Sequence, residues 1–504
     1  MDIKNENIHQ YCRITDILSP VTCVHRGNKV MDEFNYSKLN IDNLMCQLDE
    51  IVLQSDDAAL IRAIEARKFE HLLIQKYQTK PQSWIDSTLT AISANWRTPR
   101  YYFTNFFIPE NIDLIVNSLE KINVCMKKEL NTVHVVDCIC SITKIRDNFR
   151  SIKNIHTFND KIISKEQFRK IDEFATEAIC FIEQKKIGQP FYKLLGENDY
   201  CEYIFNNSGI SLDIVSLEED ILSVIKSLSN FVETNVDEKI VNPTKENIIN
   251  IVDNVISTFD ESNKNGCATL FNKFRLIDDE KFLNYNGAMN YAFLGDFFMD
   301  TRDENKEDYG FVFFNSLKKI DESNLIQIVA HEIFPGHYYA NTIRGGYRFR
   351  EKLLNNDIVE EGWAKYSELM YILKLKNRYL LNRFLINLKQ IATLAYASVL
   401  VNTHKTSIEI KMNTLSENLK VNQNEAKNLL IKAINFPLET ISYLLGLSLF
   451  VNYLGITPFI DLQDIKKRMT NVYDLMYIQG ASVPYKKIRI KEVARLAESF
   501  ARIF

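Results

Sequence analysis

The sequence predicts a mainly α-helical protein, a large multi-helix body interrupted by one small β element. Gly (15) and Pro (10) together are about 5% of the 504 residues, where average usage gives roughly 12%. So few turn-formers in so long a chain favour long helices over many short strands. Apolar residues return at three- and four-residue spacing over most of the chain, the period of one helix face. The ordinary mixture of 46% hydrophobic and 25% charged residues supports a packed core and excludes a disordered chain. A β-sandwich, a barrel or a Gly-rich nucleotide-binding fold is disfavoured.

Helical patterns run over 60–75, 112–130, 166–185, 216–234 and 244–259, with Thr244 an N-cap candidate behind Pro243. The aromatic-rich stretches 286–299 and 309–315 read as short strands joined by the charged loop 300–308. From Ser323 the helices resume nearly to Phe504. The apolar run at 443–456 is about 14 residues, below the roughly 18 that suggest a span, and predicts a buried helix. Residues 1–270 form an N-terminal helical region and 271–504 a second one. No Pro/Gly/Ser-rich linker separates them, so one compact unit is expected.

With 61 Lys+Arg against 65 Asp+Glu the net charge is -4, which gives no electrostatic case for a nucleic-acid groove or an anionic membrane surface. The opening segment MDIKNENIHQYCRITD lacks the apolar stretch of a secretory signal. Nine cysteines, an odd number, point to free thiols in a reducing, cytoplasmic setting. All lie between Cys12 and Cys267, so a metal held in the second half must use His and carboxylate ligands. Cys138 and Cys140 form a C-x-C pair with no second pair, and are assigned to core packing.

Residues 323–338 read SNLIQIVAHEIFPGHY. Ser323 is a candidate N-cap, and Leu325, Ile326, Val329 and Ile333 form the apolar side of a helix carrying His331 and Glu332. In a zinc helix of the H-E-x-x-H type the second His follows at i+4. Here that position is Pro335, and the next His is His337 at i+6. On an ideal helix i+6 points about 120° away from His331, so the two can share one metal only if the helix is distorted between them. Pro335 and Gly336 supply that distortion. Glu361 follows 24 residues after His337, in the opening turns of a helix for which Asp357 is the candidate N-cap. His, His and Glu leave one zinc position open for water, the mark of a catalytic site. Glu368, about 20° from Glu361 on the same face, is placed to hold a ligand imidazole through its other nitrogen.

HEIFPGH followed by EEGWAKYSE resembles the signature H-E-x-x-P-G-H, then E-G-W-A-x-Y-x-E, of the large bacterial family called domain of unknown function 885. That family is grouped with gluzincin-type zinc metallopeptidases. The E-G-W-A segment is also similar to the N-E-G-F-A segment of zinc aminopeptidases, where the Glu is a metal ligand. Downstream, 436–446 resembles the family's P-G-Q-x-x-S-Y-x-x-G stretch, and 473–484 its F-H-D…G-x-x-P ending. The resemblance covers about 320–490 of the chain.

The resemblance implies a peptidase-like helical fold in which the metal helix faces a deep cleft. It implies one zinc ion held by His331, His337 and Glu361, with Glu332 as general base. Tyr443 becomes a donor to the tetrahedral oxyanion, the alternative being a core tyrosine on a buried helix. His404 falls where the family often has a His after a D-x-G stretch, although the preceding residues differ here, and is a candidate for a substrate or oxyanion role. Three positions depart from the pattern: Glu439 replaces a Gln, Lys432 an Arg and Tyr473 a His. These are expected to shape substrate binding. Arg344, Arg348 and Arg350 follow the metal helix closely and include a candidate partner for a substrate carboxylate. The expected activity is hydrolysis of a peptide or small amide. The alternatives are a tailoring enzyme acting on one small molecule, and a non-catalytic helical binding protein with a relic motif.

Overall fold

The computed structural model describes residues 3–18, 41–77, 164–184, 195–231, 239–259, 274–278, 289–294, 309–343, 356–479, 481–488 and 490–493, with isolated positions at 116, 120, 146 and 495. The loop at 300–308, Cys138, Cys140, Arg344, Arg348 and Arg350 lie outside these residues, as does all of the helix expected at 112–130 except positions 116 and 120. The described residues are mainly helical, as composition and periodicity predict.

Helices α1 (Ile3–Leu18), α2 (Ile41–Gln54) and α3 (Ala58–Tyr77) pack around Ile8, Tyr11, Leu48, Ile51, Leu60 and Ile64. Later turns of α3 carry Phe69 and Leu73 into the main core. That core also takes residues from α5 (Glu197–Ser208), α6 (Ile214–Phe231) and α7 (Lys245–Ser257), and it continues to Val493. Described residues on both sides of residue 270 thus contribute to it. Helix α4 (Lys165–Gln184) matches the pattern at 166–185. Thr244 caps α7 by accepting a hydrogen bond from the Asn247 N–H at 3.2 Å.

The β element is a three-stranded sheet of β3 (Phe274–Asp278), β5 (Tyr309–Phe314) and β4 (Met289–Leu294), in that order. Tyr291 of β4 pairs antiparallel with Val312, and Leu276 of β3 pairs parallel with the same residue. Two two-residue ladders tie distant segments together: β1 (Ile210–Ser211) with β7 (Val483–Pro484), and β2 (Ile240–Val241) with β6 (Ile320–Asp321). Strand β6 runs directly into α8 (Glu322–Glu332), so Asp321 rather than Ser323 occupies the N-cap. Ser323 sits in the first turn and its hydroxyl donates to Asp321 Oδ2. Likewise Asn356, not Asp357, caps α10 (Asp357–Leu375), accepting from the Val359 N–H at 3.2 Å.

Helices α9 (His337–Ile343), α11 (Arg378–Thr403), α12 (Ile408–Leu419), α13 (Gln423–Asn435), α14 (Glu439–Leu454) and α15 (Leu462–Tyr473) complete the body. Helix α14 is the buried helix expected from the apolar run. Helix α11 is long and apolar enough to cross a membrane, but 61% of its apolar window is buried in this fold, where it packs on α6, α13 and α14. At the centre α10 and α14 cross with their backbones touching. A Cβ on Gly362 would lie 2.5 Å from the Gly446 Cα, and a Cβ on Gly446 would overlap the Ile358 carbonyl. Trp363, Tyr366 and Phe450 pack beside the crossing, with Tyr366 and Phe450 stacked at 5.7 Å between centroids.

This crossing leaves no room for a methyl group. Gly446→Ala is expected to lower stability by about 1–3 kcal/mol or more through overpacking, read as a lower urea midpoint. An unchanged midpoint would show that the two backbones do not touch there.

Candidate metal centre

Helix α8 buries Leu325, Val329 and Ala330 against the core and brings His331 and Glu332 to its C-terminal end. There it stops. The Ile333 N–H still bonds to the Val329 carbonyl at 2.9 Å, the Phe334–Pro335 peptide is cis, and α9 starts afresh at His337. Gly336 is obligatory, because a Cβ there would overlap the His331 carbonyl oxygen. Two hydrogen bonds fix the break. The Tyr339 N–H donates to the Ile333 carbonyl at 2.9 Å, and the Trp363 indole Nε1–H donates to the Pro335 carbonyl at 3.0 Å from α10. Across this break the His337 ring lies edge-on to His331, with centroids 4.7 Å apart and planes at 90°. The distortion that the i+6 spacing demanded is present.

Glu361, in the opening turns of α10, faces both rings. Its Oε2 lies 3.2 Å from His331 Nε2 and 3.6 Å from His337 Nε2. One ligand atom from each of the three residues lies within 4.8 Å of the others. Glu361 Oε2 is buried without a well-formed hydrogen bond. Two ring nitrogens and a carboxylate oxygen thus converge on one point, where one cation could be held by all three residues. This nitrogen and oxygen donor set is of the kind that holds a divalent metal ion.

The surrounding groups orient the set. Glu368, which is 1% exposed, has Oε1 2.7 Å from His331 Nδ1, so that nitrogen is engaged and Nε2 is left to face the cluster. Lys365 donates to the same Glu368 oxygen at 2.7 Å. Burial pulls the His331 imidazole down, but the nearby Glu361 carboxylate and the hydrogen bond with Glu368 outweigh it and raise the ring to about 9. Burial pushes Glu361 up, and His337 and His331 more than offset this, holding it below the usual carboxylate range. For Glu368 burial again acts upward, and Lys365 and His331 prevail to lower it.

A cavity of about 330 Å³ opens beside the cluster between α8, α10, α11 and the start of α14, with His331, Glu332, Lys365, Glu368, Glu439 and Tyr443 in its wall. The Tyr443 ring centroid is 6.2 Å from that of His331. Burial, then the carboxylates of Glu361, Glu439 and Glu332, push its phenol well above the ordinary value. The hydroxyl therefore keeps its proton and can donate. Glu439 Oε1 lies 3.8 Å from Lys432 Nζ, both half exposed, so two of the three departures from the resembled pattern pair with each other. The third, Tyr473, has its hydroxyl 3.4 Å from Glu360 Oε2, and Tyr477 donates to Glu360 Oε1 at 2.8 Å.

His404 lies apart from the cluster. It caps the C-terminus of α11, with Nε2 2.9 Å from Glu218 Oε2 on α6. It stands ten residues beyond Leu394, the last α11 residue in the cavity wall, or about 15 Å along the helix. The structure does not bring it to the cluster. Trp363, Lys365 and Tyr477 were missed by sequence reasoning. For Lys365 the i+4 spacing from Glu361 was an available signal, whereas the Trp363 bond to Pro335 had none.

Zinc titrated against the purified chain should bind in about one equivalent, and His337→Ala or Glu361→Ala should abolish tight binding in equilibrium dialysis. Glu368→Gln should weaken it about 10- to 100-fold. A wild-type chain that takes up no zinc, or a His337→Ala variant that binds as tightly, contradicts the shared site.

No family model and no curated protein matches the chain. Among solved structures it is similar to a crystal structure described as a putative lipoprotein from Colwellia psychrerythraea, over 100% of both chains, at 10% identity and a TM-score of 0.55. A second of the same description, of unknown function and from Shewanella oneidensis, aligns over 96% of this chain and 99% of that one, at 14% identity and a TM-score of 0.43. The first of these likenesses concerns the fold alone.

Proposed function

We propose that the chain is a zinc-dependent hydrolase that cleaves an amide bond in a short peptide or an acylated amino acid. The convergence of His331, His337 and Glu361 beside Glu332, at the wall of a cavity, carries this reading. The resemblance of HEIFPGH and EGWAKYSE to the 885 family, itself grouped with gluzincins, supports it. His331, His337 and Glu361 would hold a zinc ion, which would supply Lewis acidity toward a water and the scissile carbonyl.

The chain's own residues do the rest. Glu332, next to His331 and in the cavity wall, takes a proton from the attacking water. It returns that proton to the amide nitrogen as the C–N bond breaks, leaving a carboxylic acid and an amine. Tyr443, kept protonated by its burial and its anionic neighbours, donates a hydrogen bond to the oxygen on which negative charge develops. Glu368 holds the His331 ring so that Nε2 keeps its aim. A cavity of about 330 Å³ lies at the small end of the ligand-pocket range, which favours a small amide over a long peptide.

The Lys432–Glu439 pair at two departing positions favours a second reading, a dedicated enzyme acting on one small amide-containing molecule. A dipeptide panel separates the two: broad turnover marks a general peptidase, and silence marks the specialist.

Glu332→Gln should lower kcat by about 10²- to 10⁴-fold with zinc content unchanged, measured by amine release from whichever substrate is turned over. Tyr443→Phe should lower kcat by about 10²- to 10³-fold with little change in KM. If Glu332→Gln retains wild-type turnover, the proposed proton route is wrong.

A further inference from the structure

The cavity wall carries a cation that the hydrolytic chemistry does not use. Lys365 lies on α10 one turn after Glu361 and just before Glu368, so the three share one face of the helix. Its side chain is only 14% exposed and lines the cavity. An ammonium has three donors. The bond from Nζ to Glu368 Oε1 at 2.7 Å uses one of them. Because Glu368 Oε1 also meets His331 Nδ1 at 2.7 Å, the Lys365 ammonium stands one carboxylate and one imidazole away from the point where the Nε2 atoms converge.

The second cation of the wall is differently placed. Lys432 lies beside Glu439 with side chains 47% and 48% exposed, so its charge is offset by a neighbour and screened by solvent. Lys365 shares its carboxylate with His331 and sits where solvent screens little, so a second anion reaching it would be held strongly. The same cavity wall mixes the aliphatic side chains of Ile328, Ile391 and Leu394 with the amide of Gln390. Such a surface suits an apolar side chain next to a polar backbone. The arginines that follow the metal helix, the cations expected for a carboxylate, lie outside the described residues.

We infer that Lys365 selects the substrate class, binding a free carboxylate on the residue that follows the scissile amide, so that the enzyme acts on N-acyl amino acids or the carboxyl ends of very short peptides. This rests on the hydrolase reading for the identity of the site. Lys365 binds and positions; it takes no part in proton transfer.

The test is binding rather than turnover, so it stands apart from the catalytic reading. The zinc-loaded full chain carrying Glu332→Gln is titrated calorimetrically with N-acetyl-L-leucine and with N-acetyl-L-leucinamide, which differ in the free carboxylate. The acid should bind about tenfold or more tightly than the amide, the advantage of one charge-assisted contact. Adding Lys365→Met should remove that preference with zinc content unchanged, and Lys365→Arg should keep it. Equal binding of acid and amide to the Glu332→Gln protein overturns the inference. So does a preference that survives Lys365→Met in a zinc-replete protein, which would hand the carboxylate to another cation. Failure of Glu332→Gln to affect hydrolysis would instead strike the catalytic reading and leave this comparison intact.

Discussion

Gly336 lies so close to the His331 carbonyl that no side chain fits, and the Trp363 indole grips the neighbouring Pro335 carbonyl from a different helix. These two contacts end α8 directly after Glu332 and restart the chain at His337. The geometry of the candidate centre follows from that break. Without it the two imidazoles point about 120° apart, and Glu361 Oε2 is a buried carboxylate oxygen facing only one partner. With it, three donors face one point beside a cavity whose wall carries Glu332.

A second close approach keeps the supporting groups in register. Because α10 and α14 touch backbone to backbone at Gly362 and Gly446, the helix that supplies Glu361, Lys365 and Glu368 stands against the helix that supplies Glu439 and Tyr443. Tyr443 is thereby held near His331, where burial and then nearby carboxylates keep its proton in place. The aromatic packing of Trp363, Tyr366 and Phe450 serves the core and the site together. One residue, Trp363, both fills the crossing and pins the break.

Much of this was legible in the sequence, for physical reasons that differ from element to element. Long helices follow from scarce breakers and regular apolar spacing, and α3, α4 and α7 fall close to where the periodicity puts them. Strands β4 and β5 were visible as aromatic runs. Strand β3 was not, because a five-residue segment carrying Arg275 and Asp278 acquires its identity only from its parallel partner β5. The caps shifted from Ser323 to Asp321 and from Asp357 to Asn356, since in each case neighbouring polar residues compete for the same role and only the entry path of the chain decides. The ligand cluster was readable because a helix imposes angles on spacing, and the i+6 separation announced a distortion. His404 was not, because its neighbour Glu218 is 186 residues away. The contact between Trp363 and Pro335 escaped for the same reason, being made between helices rather than along one.

The central claim is that the break delivers two imidazoles and one carboxylate to a single ion. X-ray absorption at the zinc edge of the loaded chain tests it most directly. The account predicts a first shell of light atoms at about 2.0–2.2 Å with the scattering pattern of two imidazoles. A shell with one imidazole, or with sulfur at about 2.3 Å, would contradict it.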